Sequence, residues 1–197
     1  MGGRGASSSN GKSIVMGGKF STTVGNTKFL DPGIFQNMMV SKSEEGAIET
    51  FKEKFSNADH EYYMVVNKRG TVLQYNEGGK DYVSGRFRDI NKKYYQADSG
   101  STDIHNHPKI GRIQSALPSN ADLYSFARTD SITKSVITAG KRNTVFVKTQ
   151  NFDRQGFLNN IANIKGTFTP RSLEKFYRVN ADRYGYKFSS HLDKKYD

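Results

Sequence analysis

Asp103-Ile104-His105-Asn106-His107-Pro108, followed after a polar loop by Pro118-Ser119-Asn120-Ala121-Asp122, decides how this chain is read. Ser101 to His107 reads as a strand leaving the core, and Ser119 to Arg128 as a helix. Two histidines two apart on a strand project from one face, so both imidazoles reach toward a single ion. Asp122 stands at the start of the helix, and a loop folding that start back over the strand end completes a set of His105, His107 and Asp122. Three protein ligands with one open position is the arrangement of catalytic zinc, whose bound water ionises near pH ~7. Each half also has a plainer reading. Ser119 and Asp122 form a capping box, Ser119 at N-cap and Asp122 at N3, and a lone His-x-His is more often an exposed strand pair. The combination tips the balance: two of the chain's four histidines sit two apart, beside a proline, shortly before Pro-Ser-x-x-Asp.

Outward from this segment, the pattern changes period several times. Ser43 to Phe55 reads as a helix, with Ala47, Ile48, Phe51 and Phe55 at helical spacing and Ser43, Glu44 and Glu45 at its start. Tyr62 to Val66 and Thr71 to Tyr75 flank Asn67-Lys-Arg-Gly70 and read as a hairpin that Gly78-Gly79 ends. Ser135 to Thr138 and Thr144 to Lys148 are two further strands around Gly140-Lys-Arg-Asn143. Phe29, Ile34, Phe35, Met38 and Met39 suggest a short amphipathic segment around the Asp31-Pro32-Gly33 turn, and Arg86 to Tyr95 suggests another helix. Residues 1–13 read as a flexible Gly/Ser-rich tail, 14–150 as the main domain with its N-terminal helix. Residues 151–197 read as a basic helical extension packed on that domain and broken near Gly166–Pro170.

Composition narrows the chemistry. The chain has 197 residues, a length that favours one domain. It has no cysteine, which removes disulfides, thiolate nucleophiles, Cys-ligated zinc and iron–sulfur clusters. No apolar run nears the roughly 18 residues of a membrane span, and the first ten residues lack the apolar core of a signal peptide. A cytoplasmic setting is expected. The net charge of +11 favours contact with polyanions, so nucleic acid joins the possible partners. Arg86-Phe-Arg88, Lys92-Lys-Tyr-Tyr95 and Lys187 to Lys195 are the basic stretches that would serve it, and they equally describe solvated helix faces.

His105-Asn106-His107-Pro108 with Pro118-Ser119-x-x-Asp122 resembles the motif of the JAMM (JAB, MPN-plus) metallohydrolases, and looks most like their RadC-like branch. The resemblance spans roughly residues 55–150. It implies an α/β fold, JAMM/RadC-like and hence cytidine-deaminase-like, with a mixed sheet flanked by helices. It implies a zinc ion on His105, His107 and Asp122, and Ser119 helping to stabilise an oxyanion. It also implies a catalytic glutamate on an earlier strand. Glu61, at the head of Tyr62 to Val66, matches that place; its plainer reading is a solvated strand-end charge, and Glu77 is a neighbouring carboxylate. The implied activity is hydrolysis of a peptide or isopeptide bond in a protein or peptide substrate. The 109–115 loop, Lys-Ile-Gly-Arg-Ile-Gln-Ser, is longer than the family's usual spacing and lies beside the expected metal. The opening Gly-Gly-Arg-Gly-Ala-Ser-Ser-Ser string is similar in composition to starts of bacterial phage and mobile-element proteins.

Competing motifs fail on their residues. His60-Glu61-Tyr62-Tyr63-Met64 has Met64 where His-Glu-x-x-His needs its second ligand. A zinc deaminase needs His-x-Glu and paired cysteines, but position 107 is His. The rival functions are a nucleic-acid-associated or phage-assembly binding protein with a structural or lost metal site, and a metal-dependent nuclease.

Overall fold

A computed structural model of the chain describes residues 14–16, 27–85, 99–109 and 114–192. The expected tail at 1–13 and the helix suggested at 86–95 lie outside those residues. In chain order the elements are β1 (Ile14–Met16), β2 (Lys28–Leu30), α1 (Pro32–Met38), α2 (Glu44–Phe55), β3 (Tyr62–Val66), β4 (Val72–Glu77) and β5 (Ser101–Asn106). Then follow α3 (Asn120–Arg128), β6 (Ile132–Ala139), β7 (Arg142–Lys148), α4 (Arg154–Asn163), β8 (Gly166–Phe168), α5 (Pro170–Tyr184) and β9 (Tyr186–Leu192).

Seven strands form one sheet in the order β2-β4-β3-β5-β6-β7-β9, while β1 pairs with β8 apart from it. Within the sheet every neighbouring pair is antiparallel except β5 with β6. A parallel pair needs a crossover, because its second strand must start at the end where the first began. The chain between them carries α3, so a helix N-terminus follows the end of β5. The β3–β4 hairpin turns at Asn67, whose side-chain oxygen accepts from the N–H groups of Arg69 (3.0 Å) and Thr71 (2.9 Å). Gly70 has φ +79°, and a Cβ there would sit 2.4 Å from the Ser43 nitrogen, so the turn packs on the start of α2 only with glycine.

Alternation along β3 divides the core. Tyr63 and Val65 join Leu123 and Phe126 of α3, Phe157 and Ile161 of α4, and Leu173 and Tyr177 of α5. Met64 and Val66, on the opposite face, join Ile104, Val136, Phe35 of α1 and Ala47 and Phe51 of α2. The fold is therefore α/β: a mixed sheet with helices on both faces. Ser43 caps α2 by accepting from the Gly46 N–H at 2.9 Å. Glu44 then anchors that end to the sheet, accepting from Lys134 at 3.0 Å and from the Thr102 hydroxyl.

The C-terminal part differs from the expectation of helices alone. Helices α4 and α5 are there, interrupted at 164–169, but β9 adds itself to the sheet along β7, pairing Phe188 with Phe146. Its aromatic–charged alternation, Tyr186-Lys187-Phe188, is a strand pattern inside a lysine-rich run. Among the described residues, no helix is long and apolar enough to cross a membrane.

Candidate metal centre

Strand β5 runs buried from Ser101 to Asn106, its two faces serving two purposes. Ile104 enters the core under α2, while Asp103 and His105 face α3. The strand's backbone pairing continues one residue further, the His107 N–H donating to the Thr138 carbonyl at 2.9 Å, so His107 is held like a strand residue just past the strand end. His105 and His107 are 5% and 7% exposed, which rules out the exposed strand pair.

The two imidazole Nε2 atoms stand 3.2 Å apart. Asp122 bridges them: Oδ1 lies 3.5 Å from His105 Nε2, and Oδ2 lies 3.4 Å from His107 Nε2. One ligand atom from each residue falls within 4.8 Å of the others, so the three can hold a metal ion. Zinc–ligand bonds of about 2.0–2.2 Å at tetrahedral angles place neighbouring ligands roughly 3.3–3.5 Å apart; the two imidazole nitrogens stand near that distance, while Asp122 meets each ring through a different oxygen.

Outer contacts orient these ligands. The His107 Nδ1–H donates to the Ser115 carbonyl at 2.9 Å, which leaves the Nε2 lone pair of the neutral ring for a cation. The return of the 109–115 loop is held by Gln114 Nε2 on the Ser56 carbonyl (2.8 Å) and by the Thr144 hydroxyl on the Ala116 carbonyl. The capping box and the metal set share the same atoms. Asp122 Oδ2 accepts from the Ser119 N–H and from the Ser119 hydroxyl, both at 2.7 Å, and the Asp122 N–H donates to Ser119 Oγ at 3.2 Å. The cap thereby fixes the carboxylate that faces the histidines. Burial opposes ionisation of Asp122, yet the His105 and His107 rings hold its carboxyl well below the usual range. Burial likewise opposes charge on His107, but Asp122, then Glu61 and the Ser115 carbonyl, push it up to about 9.

Glu61 comes to this site through register. The antiparallel pairing of Tyr63 with His105 brings the head of β3 to the end of β5. The Glu61 N–H donates to the Gly79 carbonyl and the Gly78 N–H to the Glu61 carbonyl, both at 2.7 Å. Asn106 clamps the residues on either side: its Oδ1 accepts from the Tyr62 N–H at 2.6 Å and its Nδ2 donates to the His60 carbonyl at 2.9 Å. Glu61 is 3% exposed, which excludes a solvated strand-end charge. Burial pushes its carboxyl well above the usual range, with Asp122 and Asp81 adding to this and His107 opposing it. Glu77 lies elsewhere, on the outer hairpin, paired with Lys28 at 3.2 Å.

Glu61, Asp103, His105 and Asp122 line one cavity of about 20 Å³, together with Tyr63. That is room for about one water molecule. The sequence reading passed over Asp103 and Tyr63. The signal for Asp103 was the period of two: it precedes His105 on the same strand face. Its Oδ1 has no hydrogen-bond partner among the described residues. Burial pushes Asp103 up to about 6, against the Ser135 hydrogen bond and the charges of His105 and Lys148. Lys148 is pushed down to about 8 by burial. Two buried imidazoles and the carboxylate of Asp122 make a donor set that can hold a metal ion.

Against known proteins, no family model matches the chain, and no curated protein and no solved structure matches it either.

Proposed function

We propose that this chain is a zinc-dependent hydrolase of JAMM type that cleaves a peptide or isopeptide bond. One observation carries the reading: His105, His107 and Asp122 bring one ligand atom each within 4.8 Å of the others, the two imidazole Nε2 atoms 3.2 Å apart, with a buried glutamate on the cavity that His105 and Asp122 line. Zinc, when bound there, supplies a Lewis acid that makes water acidic near neutral pH.

The residues divide the remaining work. Glu61 accepts a proton as the water oxygen attacks the amide carbon, and returns it to the leaving nitrogen as the C–N bond breaks. The second water proton passes from the new carboxyl to the amine, so the products are a carboxylate and an ammonium group, and Glu61 is restored. A carboxyl raised by burial suits a group that both takes and gives a proton near neutrality. Asn106 holds the backbone around Glu61, and Ser115 fixes the tautomer of His107. The oxyanion role of Ser119 asks its single hydroxyl proton to leave Asp122 for the substrate, while the Ser119 N–H stays on that carboxylate.

The nuclease and nucleic-acid-binding alternatives rest on the net charge of +11. The assay that separates them offers the zinc-loaded chain fluorogenic peptide and lysine-isopeptide libraries beside labelled DNA and RNA. Amide cleavage that Glu61→Gln abolishes supports the proposal. Cleavage of nucleic acid with no turnover of either amide library replaces it with the nuclease reading.

A further inference from the structure

A second, larger concavity of about 450 Å³ adjoins the metal centre, within the size range of small-ligand pockets. One wall is the 114–117 segment, the return of the loop after His107. The others are the start of β7 at Arg142 and Thr144, the start of α5 at Pro170, Arg171 and Glu174, and Ser190 of β9. The His107 ring links this groove's wall to the proposed metal set, since its Nδ1 bonds Ser115 while its Nε2 faces His105 and Asp122.

The chemistry of the walls is specific. Arg142 and Arg171 come from elements far apart in sequence, are both exposed, and have no carboxylate partner among the described residues. The wall's carboxylate, Glu174, is already engaged by the Ser190 hydroxyl at 3.0 Å. The positive end of the α5 dipole points the same way as the arginines' charge. Pro170 is the exposed apolar residue of the lining, whereas Ala116 and Leu117 are each only 3% exposed. Glu174 repels any anion, so the lining suits a segment with a few carboxylates and an apolar side chain better than a phosphodiester chain, which carries a charge at every step.

We infer that this groove binds an acidic peptide segment, with carboxylates on Arg142 and Arg171 and an apolar side chain against Pro170. This rests on the hydrolase reading for its purpose, selecting substrates with acidic residues beside the scissile bond, but not for its physics. Guanidinium–carboxylate pairing needs no metal.

The test is fluorescence anisotropy on the full chain, metal-free and zinc-loaded, near physiological salt. The probe is a fluorescein-labelled nonapeptide of alternating glutamate and leucine. Its control has every glutamate replaced by glutamine. The glutamate peptide is expected to bind about tenfold or more tightly, the scale of one charge-assisted hydrogen bond. Arg142→Ala/Arg171→Ala, two surface changes, should erase that preference without changing zinc content. Equal affinity for the two peptides overturns the inference, as does a preference that survives the double substitution. An oligonucleotide that outbinds the glutamate peptide and depends on the same arginines also overturns it. A chain that binds the peptide but takes up no zinc contradicts the metal centre alone. A chain that takes up zinc without discriminating the peptides contradicts the groove alone.

Discussion

At Glu61, stability and chemistry pull in opposite directions. Burial raises its pKa in the folded chain above the ordinary 4.5. Below that value the group is protonated in both states and costs nothing. As pH rises the unfolded chain releases the proton first, so folding loses stability until the folded pKa is passed. Glu61→Gln is therefore expected to stabilise the metal-free chain at about pH 8 and to leave it unchanged at about pH 4, read from urea midpoints. The same variant should keep zinc and lose about 10²–10⁴ in hydrolysis rate. A variant less stable at the higher pH contradicts the burial argument. A fully active variant moves the proton transfer elsewhere. Ser119 couples cap and ligand in one hydroxyl. Ser119→Ala should cost about 0.5–2 kcal/mol of stability as a lost N-cap and weaken zinc binding about 10–100-fold as a lost outer contact. Denaturation and zinc-competition titrations read the two effects separately, and an unchanged zinc affinity would leave Ser119 as a cap only.

Elements explain which parts of the site were legible in sequence. His105, His107 and Asp122 were, because a strand period and a helix start are local signals. So were α2 and the β3–β4 hairpin, through Ser43 and the turn after Val66. Glu61 was reached only through resemblance, since its position depends on β3 meeting β5 across nearly forty residues of chain. Asn106 gave no signal: the residue between two histidines on a strand reads as facing away, and it does, but it turns back to hold β3. Two half-buried hydrogen bonds flank Glu61 through it. Asn106→Ala is expected to cost roughly 1–3 kcal/mol through the unsatisfied backbone groups, and to lower hydrolysis while zinc content stays at wild type. Loss of zinc with unchanged rate per bound ion would contradict that division. Strand β9 was missed because its partner β7 lies about forty residues earlier, and lysine obscures the alternation of Tyr186 and Phe188.

For the whole molecule, the C-terminal elements are part of the core that carries the site. Tyr177 of α5 is 1% exposed and meets Phe146 and Phe188, with ring centroids 5.3 and 5.4 Å away. Its hydroxyl finds no hydrogen-bond partner among the described residues. Tyr177→Ala is expected to destabilise by about 3–5 kcal/mol, whereas Tyr177→Phe should be neutral or stabilising because a buried unpaired hydroxyl is removed. Thermal denaturation of the two variants decides it, and a Phe variant as damaged as the Ala variant would mean the hydroxyl has a partner. The central claim, one metal centre built from two neighbouring strand histidines and a helix cap, is tested most directly by counting metal. The purified chain is loaded with zinc, desalted and analysed by plasma mass spectrometry beside His105→Ala/His107→Ala. The account predicts one zinc per wild-type chain and none in the double variant; full zinc occupancy in the double variant would contradict it.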